Sequence, residues 1–139
     1  MIRVVIDTNV LVAALRSRLG ASFALLKLVG TDRFEHALTV PLVMEYEDVL
    51  LRPDMVPLPT AAAQSVIDYL CATGTQQDVH FLWRPLLPDP KDDMVLEAAA
   101  GAGCRHIVTF NTRDFAAASS LGIAAIKPGD FLTLLESLR

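Results

Sequence analysis

The run of apolar and polar positions along the chain predicts short strands separated by helices. Arg3-Val4-Val5-Ile6 is a β-branched stretch that stops at Asp7-Thr8-Asn9, and the next six positions, Val10 through Leu15, are strong helix formers. This reads as strand, N-cap and helix. A second helix is expected over 21–29. Gly30-Thr31-Asp32 then breaks the pattern, and Ala37-Leu38-Thr39-Val40 reads as a second buried strand. Pro41 opens a helix in which Leu42, Val43, Tyr46, Val49 and Leu50 recur at helical spacing, and this helix stops before Pro53. After a stiff connection through Pro53, Pro57 and Pro59, Thr60 begins a helix to Cys71 with Ala63, Val66, Ile67 and Leu70 as its apolar positions, and Gly74 ends it. The stretch 79–87 reads as an edge strand or loop, because Pro85, Pro88 and Pro90 suit neither a central strand nor its ladder. An alanine-rich helix over 92–102 stops at Gly103. It is followed by a strand over 106–109, a helix near 113–120, a strand over 124–126 and a closing helix over 128–138. Alternating strands and helices predict an α/β domain, with a mainly parallel sheet covered by helices on both faces.

The length of 139 residues fits one domain, residues 1–139, large enough to bury a core without disulfides. A composition of 53% hydrophobic and 20% charged residues excludes a disordered chain. Charged residues also interrupt every apolar stretch before the roughly 18 positions a membrane span needs. Asp7 falls where a signal peptide would continue its apolar run, so a soluble, cytoplasmic protein with no membrane partner is expected. Cys71 and Cys104 lie far apart, form no C-x-x-C pair and read as buried apolar thiols. The net charge of −4 argues against wholesale electrostatic attraction to nucleic acid. It does not exclude a nuclease, because carboxylates gathered round a metal ion are neutralised by it.

Candidate chemistry lies in four acidic stations: Asp7, Glu45, the Asp89/Asp92/Asp93 cluster, and Asp114. Three of them fall where a parallel sheet would gather distant segments at the carboxyl ends of its strands, the usual ligand edge of an open α/β sheet. Asp7 follows four residues that should be buried, an expensive place for a carboxylate unless a positive charge compensates it. The plain alternative is that Asp7 or Thr8 only caps the next helix. Glu45 shares a stripe with Leu42 and Val49 and can point inward, or be a solvated helix residue beside solvent-facing Glu47 and Asp48. In Pro88-Asp89-Pro90-Lys91-Asp92-Asp93, one aspartate serves as a helix cap, favoured by the free N–H groups and dipole of the helix start. Asp93, one turn from Glu97 and on the side of Leu96 and Ala100, is the candidate ligand there. Thr109-Phe110-Asn111-Thr112-Arg113-Asp114 follows a buried strand, so Asn111 or Asp114 could complete the site, or simply form a turn. His36, His80 and His106 have no metal-ligand spacing. An oxygen-only donor set suits Mg²⁺ or Mn²⁺ rather than zinc, and such ions serve phosphodiester chemistry.

Taken in order, Val5-Ile6-Asp7-Thr8-Asn9-Val10-Leu11-Val12, Glu45-Tyr46-Glu47-Asp48-Val49-Leu50 with Arg52-Pro53, Asp89-Pro90-Lys91-Asp92-Asp93, and Val108-Thr109-Phe110-Asn111-Thr112-Arg113-Asp114-Phe115 resemble the PIN-domain family. The likeness runs nearly end to end and is greatest to the bacterial toxins of type II toxin–antitoxin systems, the VapC-like ribonucleases. It implies a three-layer α/β/α sandwich and Mg²⁺- or Mn²⁺-dependent cleavage of RNA at an acidic cluster. By motif position the family's carboxylates fall on Asp7, Glu45 and Asp93, and the fourth on Asp114 rather than Asn111. Asn9, Asp92, Thr109 and Asn111 are expected in support. The resemblance also implies a homodimer and a small antitoxin protein that covers the acidic groove. Arg16, Arg18, Lys91 and Arg113 are candidate phosphate contacts, each equally readable as a solvated charge.

Two other readings compete with the endoribonuclease. An aspartate-dependent phosphatase of the haloacid-dehalogenase type would want a second Asp two places after Asp7, where this chain has Asn9. A non-catalytic binding or scaffold domain leaves the acid set without a purpose, since clustered carboxylates repel one another.

Overall fold

Strand β1 (Arg3–Ile6) sits at the centre of the sheet, and its Val4, Val5 and Ile6 are almost wholly excluded from solvent. The computed structural model describes residues 1–78 and 87–138. On one side β1 pairs with β2 (Glu35–Leu38), which pairs with β3 (Thr75–Gln76). On the other side it pairs with β4 (His106–Val108), which pairs with β5 (Ala124–Ile126). All four pairings are parallel, in the order β3-β2-β1-β4-β5. The chain builds outward from β1 to β3, then returns to the other side of β1 with β4. The sheet order therefore reverses between β1 and β4, the place where open α/β sheets leave a crevice for ligand.

Helices α1 (Thr8–Arg16), α2 (Ala21–Leu28) and α6 (Pro128–Ser137) form one packed group, and α3 (Val40–Leu50), α4 (Thr60–Thr73) and α5 (Pro90–Gly101) the other, with α1 also meeting α3. The result is the expected three-layer sandwich. Helix α5 lies against β1, β2 and β4, so Val95, Leu96, Ala98 and Ala99 are all buried. Phe34 and Phe131 close the core edge to face, with ring centres 5.3 Å apart. No single helix among the described residues is long and apolar enough to cross a membrane.

Several boundaries differ from the sequence expectation for identifiable reasons. The second strand covers Glu35–Leu38, not 37–40, because its first two residues are polar but satisfied: Glu35 pairs with Arg3 at 3.1 Å, and the His36 ring bonds to the Thr73 hydroxyl at 3.2 Å. Thr39 caps α3 by accepting from the Leu42 N–H, and Val40 is exposed. The helix expected near 113–120 is a 3-10 helix at Ala116–Leu121, ended by Gly122 in the left-handed conformation (φ 73°). Strand β3 has two residues and no apolar pattern, and was not anticipated. Cys104 is buried as expected, whereas Cys71 is partly exposed. Glu47 is half-buried, not solvent-facing. The edge strand or loop expected over 79–87 lies, Leu87 apart, outside the described residues, as does His80.

Candidate active site

Asp7 is the residue on which β1 ends and α1 begins. Its backbone is extended, its N–H donates to the Val108 carbonyl at 2.9 Å, and one carboxylate oxygen accepts from the Thr8 N–H at 2.8 Å. The helix-cap reading is thus correct, but it accounts for only one oxygen. The other accepts a 2.7 Å hydrogen bond from the hydroxyl of Thr109, at the end of β4 and 102 residues away. Thr109 is fully buried and also accepts from the Asn111 N–H at 3.0 Å and more weakly from the Asn9 amide at 3.4 Å. Asn9 in turn accepts from the Phe110 N–H at 3.3 Å. The crevice between β1 and β4 is therefore stitched by side chains of Asp7, Asn9 and Thr109.

Glu45 reaches this crevice from α3. Its neighbour Tyr46 is buried and donates its phenolic hydrogen to the Ile6 carbonyl, which fixes α3 against the end of β1. A cavity of about 640 Å³ opens there, lined on its polar side by Asp7, Thr8, Asn9, Glu45, Asp89, Asp92 and Asn111. Val12, Ala13, Val49 and Val95 supply an apolar wall, and Arg16 and Lys91 contribute positive charge. Segments distant in sequence thus bring acidic groups to one opening.

Two acids expected here occupy other places. Asp93 is buried, does not line the cavity, and accepts from the Leu87 N–H at 3.1 Å, which holds the turn before α5. Asp92, one position earlier and expected only in support, faces the cavity instead. A step of one residue on a helix turns a side chain by about 100°, so a sequence string with two adjacent aspartates leaves the choice open. Asp114 is exposed and outside the lining, while Asn111 is within it. Asp89 also lines the cavity, while its carboxylate caps α5 through the Lys91 N–H at 2.9 Å.

Burial, more than any other influence, raises the Asp7 carboxyl above its ordinary value. The hydrogen bonds from Thr109 and Thr8 oppose that rise, and the charge of Glu45 adds to it. Asp92 is pushed up to about 6, first by burial and then by the charges of Asp7, Asp89, Asp114 and Asp93. Mutual repulsion in a poorly hydrated cleft is the condition a hard cation relieves, and every acidic donor offers oxygen. Among the described residues no three Asp, Glu, His or Cys side chains are already clustered as an ion-holding set. The oxygen donors present fit a divalent ion by their chemistry.

A family model described as PIN domain matches residues 3–113. The chain belongs to the PIN-domain family. The matched span includes Asp7, Glu45, the cluster at 89–93, Thr109 and Asn111, and ends one residue before Asp114. A comparison with curated proteins finds no match. Among solved structures, a chain of VapBC2 from Rickettsia felis, bound to a DNA fragment from its promoter, is similar to this PIN domain with a TM-score of 0.64 and 14% identity, covering 91% of this chain and 98% of that one. A chain of FitAB bound to an IR36 DNA fragment gives 0.58 and 17%, covering 90% and 94%. A PilT N-terminus domain protein from Sulfolobus solfataricus gives 0.53 and 14%, covering 96% and 93%. At these identities the likeness establishes the PIN fold.

Proposed function

We propose that this PIN domain is a metal-dependent endoribonuclease and the toxin of a type II toxin–antitoxin pair. The observation that carries the reading is the convergence of Asp7, Glu45 and Asp92 on one cavity at the β1/β4 crevice, with Asp7 raised first by burial and further by Glu45, and Asp92 raised first by burial and then by Asp7 and its other acidic neighbours. Asp7, Glu45 and Asp92 are the residues that would hold Mg²⁺ or Mn²⁺, with Asp89 and Asn111 beside them. This assigns to Asp92 and Asn111 the places the sequence motif gave to Asp93 and Asp114. A bound divalent ion supplies charge neutralisation at the attacked phosphate and activation of water.

The chain's own residues do the rest. Thr8 and Thr109 fix both oxygens of Asp7, so that its orientation does not depend on substrate. Arg16 is held by its Nε donating to the Met55 carbonyl at 2.8 Å, and with Lys91 it offers positive charge to flanking phosphates at the cavity wall. The apolar wall of Val12, Ala13, Val49 and Val95 excludes water from one side of the phosphodiester. Hydrolysis by water leaves no covalent bond to the enzyme. The assignment of an antitoxin partner draws on the named complexes VapBC2 and FitAB among the structural neighbours. A cytoplasmic homodimer is part of the same reading.

The test is cleavage of a mixed structured and single-stranded RNA pool with Mn²⁺, Mg²⁺ or EDTA, comparing wild type with Asp7→Asn, Asp92→Asn and Asp93→Asn prepared identically. Metal-dependent cuts lost in Asp7→Asn and Asp92→Asn support the reading. Identical cutting in all four preparations would refute it and leave a binding domain.

A further inference from the structure

Single exposed apolar side chains are ordinary on protein surfaces. Phe110 differs in where it stands, next in sequence to the cavity-lining Asn111 and itself outside the lining. It is 45% exposed, although the residue before it is a fully buried hydrogen-bonding partner of Asp7 and the residue after it lines the acidic cavity. Its backbone is fixed on both sides, by its own N–H donating to Asn9 and by the Asn111 N–H donating to the Thr109 hydroxyl. A further bond, from the Asp114 N–H to the Asn111 carbonyl at 3.0 Å, closes the following turn. The ring is therefore carried on an ordered backbone, so little freedom is lost when something lies against it.

A phenyl face cannot hydrogen-bond and has no affinity for phosphate. It does suit a planar π-system, and beside a site that handles phosphodiesters the planar group at hand is a nucleobase. We propose that Phe110 is a stacking platform for one base of a single-stranded RNA whose backbone enters the cavity lined by Arg16, Lys91 and the carboxylates. The inference rests on the nuclease reading and adds to it a residue that receives one base of the substrate. A base in a duplex already has both faces covered, so the platform selects unpaired strands and, because every base offers a π-face, does so with little regard to sequence.

The experiment uses an unpaired oligoribonucleotide, an abasic ribose-phosphate chain of equal length, and an RNA duplex. Phe110→Trp in the Asp7→Asn background, read against Asp7→Asn alone because Trp83 also emits, reports binding by fluorescence without cutting. Its emission should be quenched by the unpaired strand and not by the abasic chain or the duplex. In the cleaving protein, Phe110→Ala should raise KM for the unpaired strand by about 5- to 150-fold with kcat little changed, and Phe110→Trp should restore it. Equal KM in wild type and Phe110→Ala, or equal quenching by the abasic chain, overturns the platform while leaving the nuclease intact. Base-dependent quenching by a protein that cuts nothing removes the nuclease and keeps the platform. Failure of every RNA to bind removes both.

Discussion

Thr109→Val tests how the central carboxylate is held. The substitution keeps the side chain's volume and removes only the hydroxyl that donates to Asp7 at 2.7 Å and accepts from Asn111 at 3.0 Å. Thr109 has no solvent exposure and Asp7 only 7%, so water from the cavity replaces the lost donor only in part. A hydrogen bond to a charged group contributes roughly 1.5–3 kcal/mol, and the partly buried Asn111 N–H adds a smaller loss, so about 2–3 kcal/mol is expected at pH 7. Urea unfolding in EDTA, with an unchanged slope, measures it. In an Asp7→Asn background the charge is gone and the same substitution should cost only about 1 kcal/mol, leaving a coupling of about 1–2 kcal/mol. The pH dependence has a definite sign. The Thr109 hydroxyl opposes the rise of the Asp7 carboxyl, so without it Asp7 titrates higher still in the folded state. The extra destabilisation is therefore complete above that folded titration and disappears as the pH falls toward the ordinary value of 3.8. A loss below about 0.5 kcal/mol, or one independent of Asp7, would refute the account of a hydroxyl stabilising a buried carboxylate.

Three further outcomes follow from the same geometry. Asp92→Asn should be more stable than wild type in EDTA at pH 8 by about 1 kcal/mol, once the shift is discounted for solvent screening. That advantage should shrink as the pH falls through the Asp92 titration at about 6. Comparing the two proteins at each pH cancels the contribution of buried His36, which titrates at about 4 and lowers stability progressively as the pH falls from 6.5; a pH-independent difference would contradict the Asp92 assignment. Asp93→Ala should destabilise the fold by about 1–3 kcal/mol, because the buried Leu87 N–H loses its acceptor, and an unchanged unfolding midpoint would show that the turn does not need it. Tyr46→Phe should cost about 1 kcal/mol in urea unfolding by freeing the Ile6 carbonyl, and a neutral result would mean that α3 is fixed on β1 by packing alone.

The fold could be read from the sequence where residues of one character were contiguous. Val4-Val5-Ile6 followed by Asp7 gave strand and cap, and 124–126 gave β5 with no error in its ends. Strand β2 was misplaced because Glu35 and His36 are satisfied by Arg3 and Thr73, partners that no local pattern reveals. Strand β3 consists of two polar residues held by the edge of β2, so its existence is wholly tertiary. At the site, the acidic stations were visible as residue types in order, and Asp7 and Glu45 do reach the cavity. The choice between Asp92 and Asp93 depends on the helical phase of α5, set by where its buried face meets β1 and β4. The choice between Asn111 and Asp114 depends on how the turn after Thr109 folds back on its hydroxyl. Neither is encoded in spacing alone.

The pairing of β1 with β4 has a consequence during synthesis. The second anchor of Asp7, Thr109, is made 102 positions after it, and Asp92 arrives between them on a helix that packs on β4 as well as β1. A growing chain that has reached only α4 carries Asp7 and Glu45 without the strand that draws the opening together. The acidic groups are therefore drawn to one opening only after β4 has been made. The same long separation in sequence that slows folding thus sets the order in which the opening is completed.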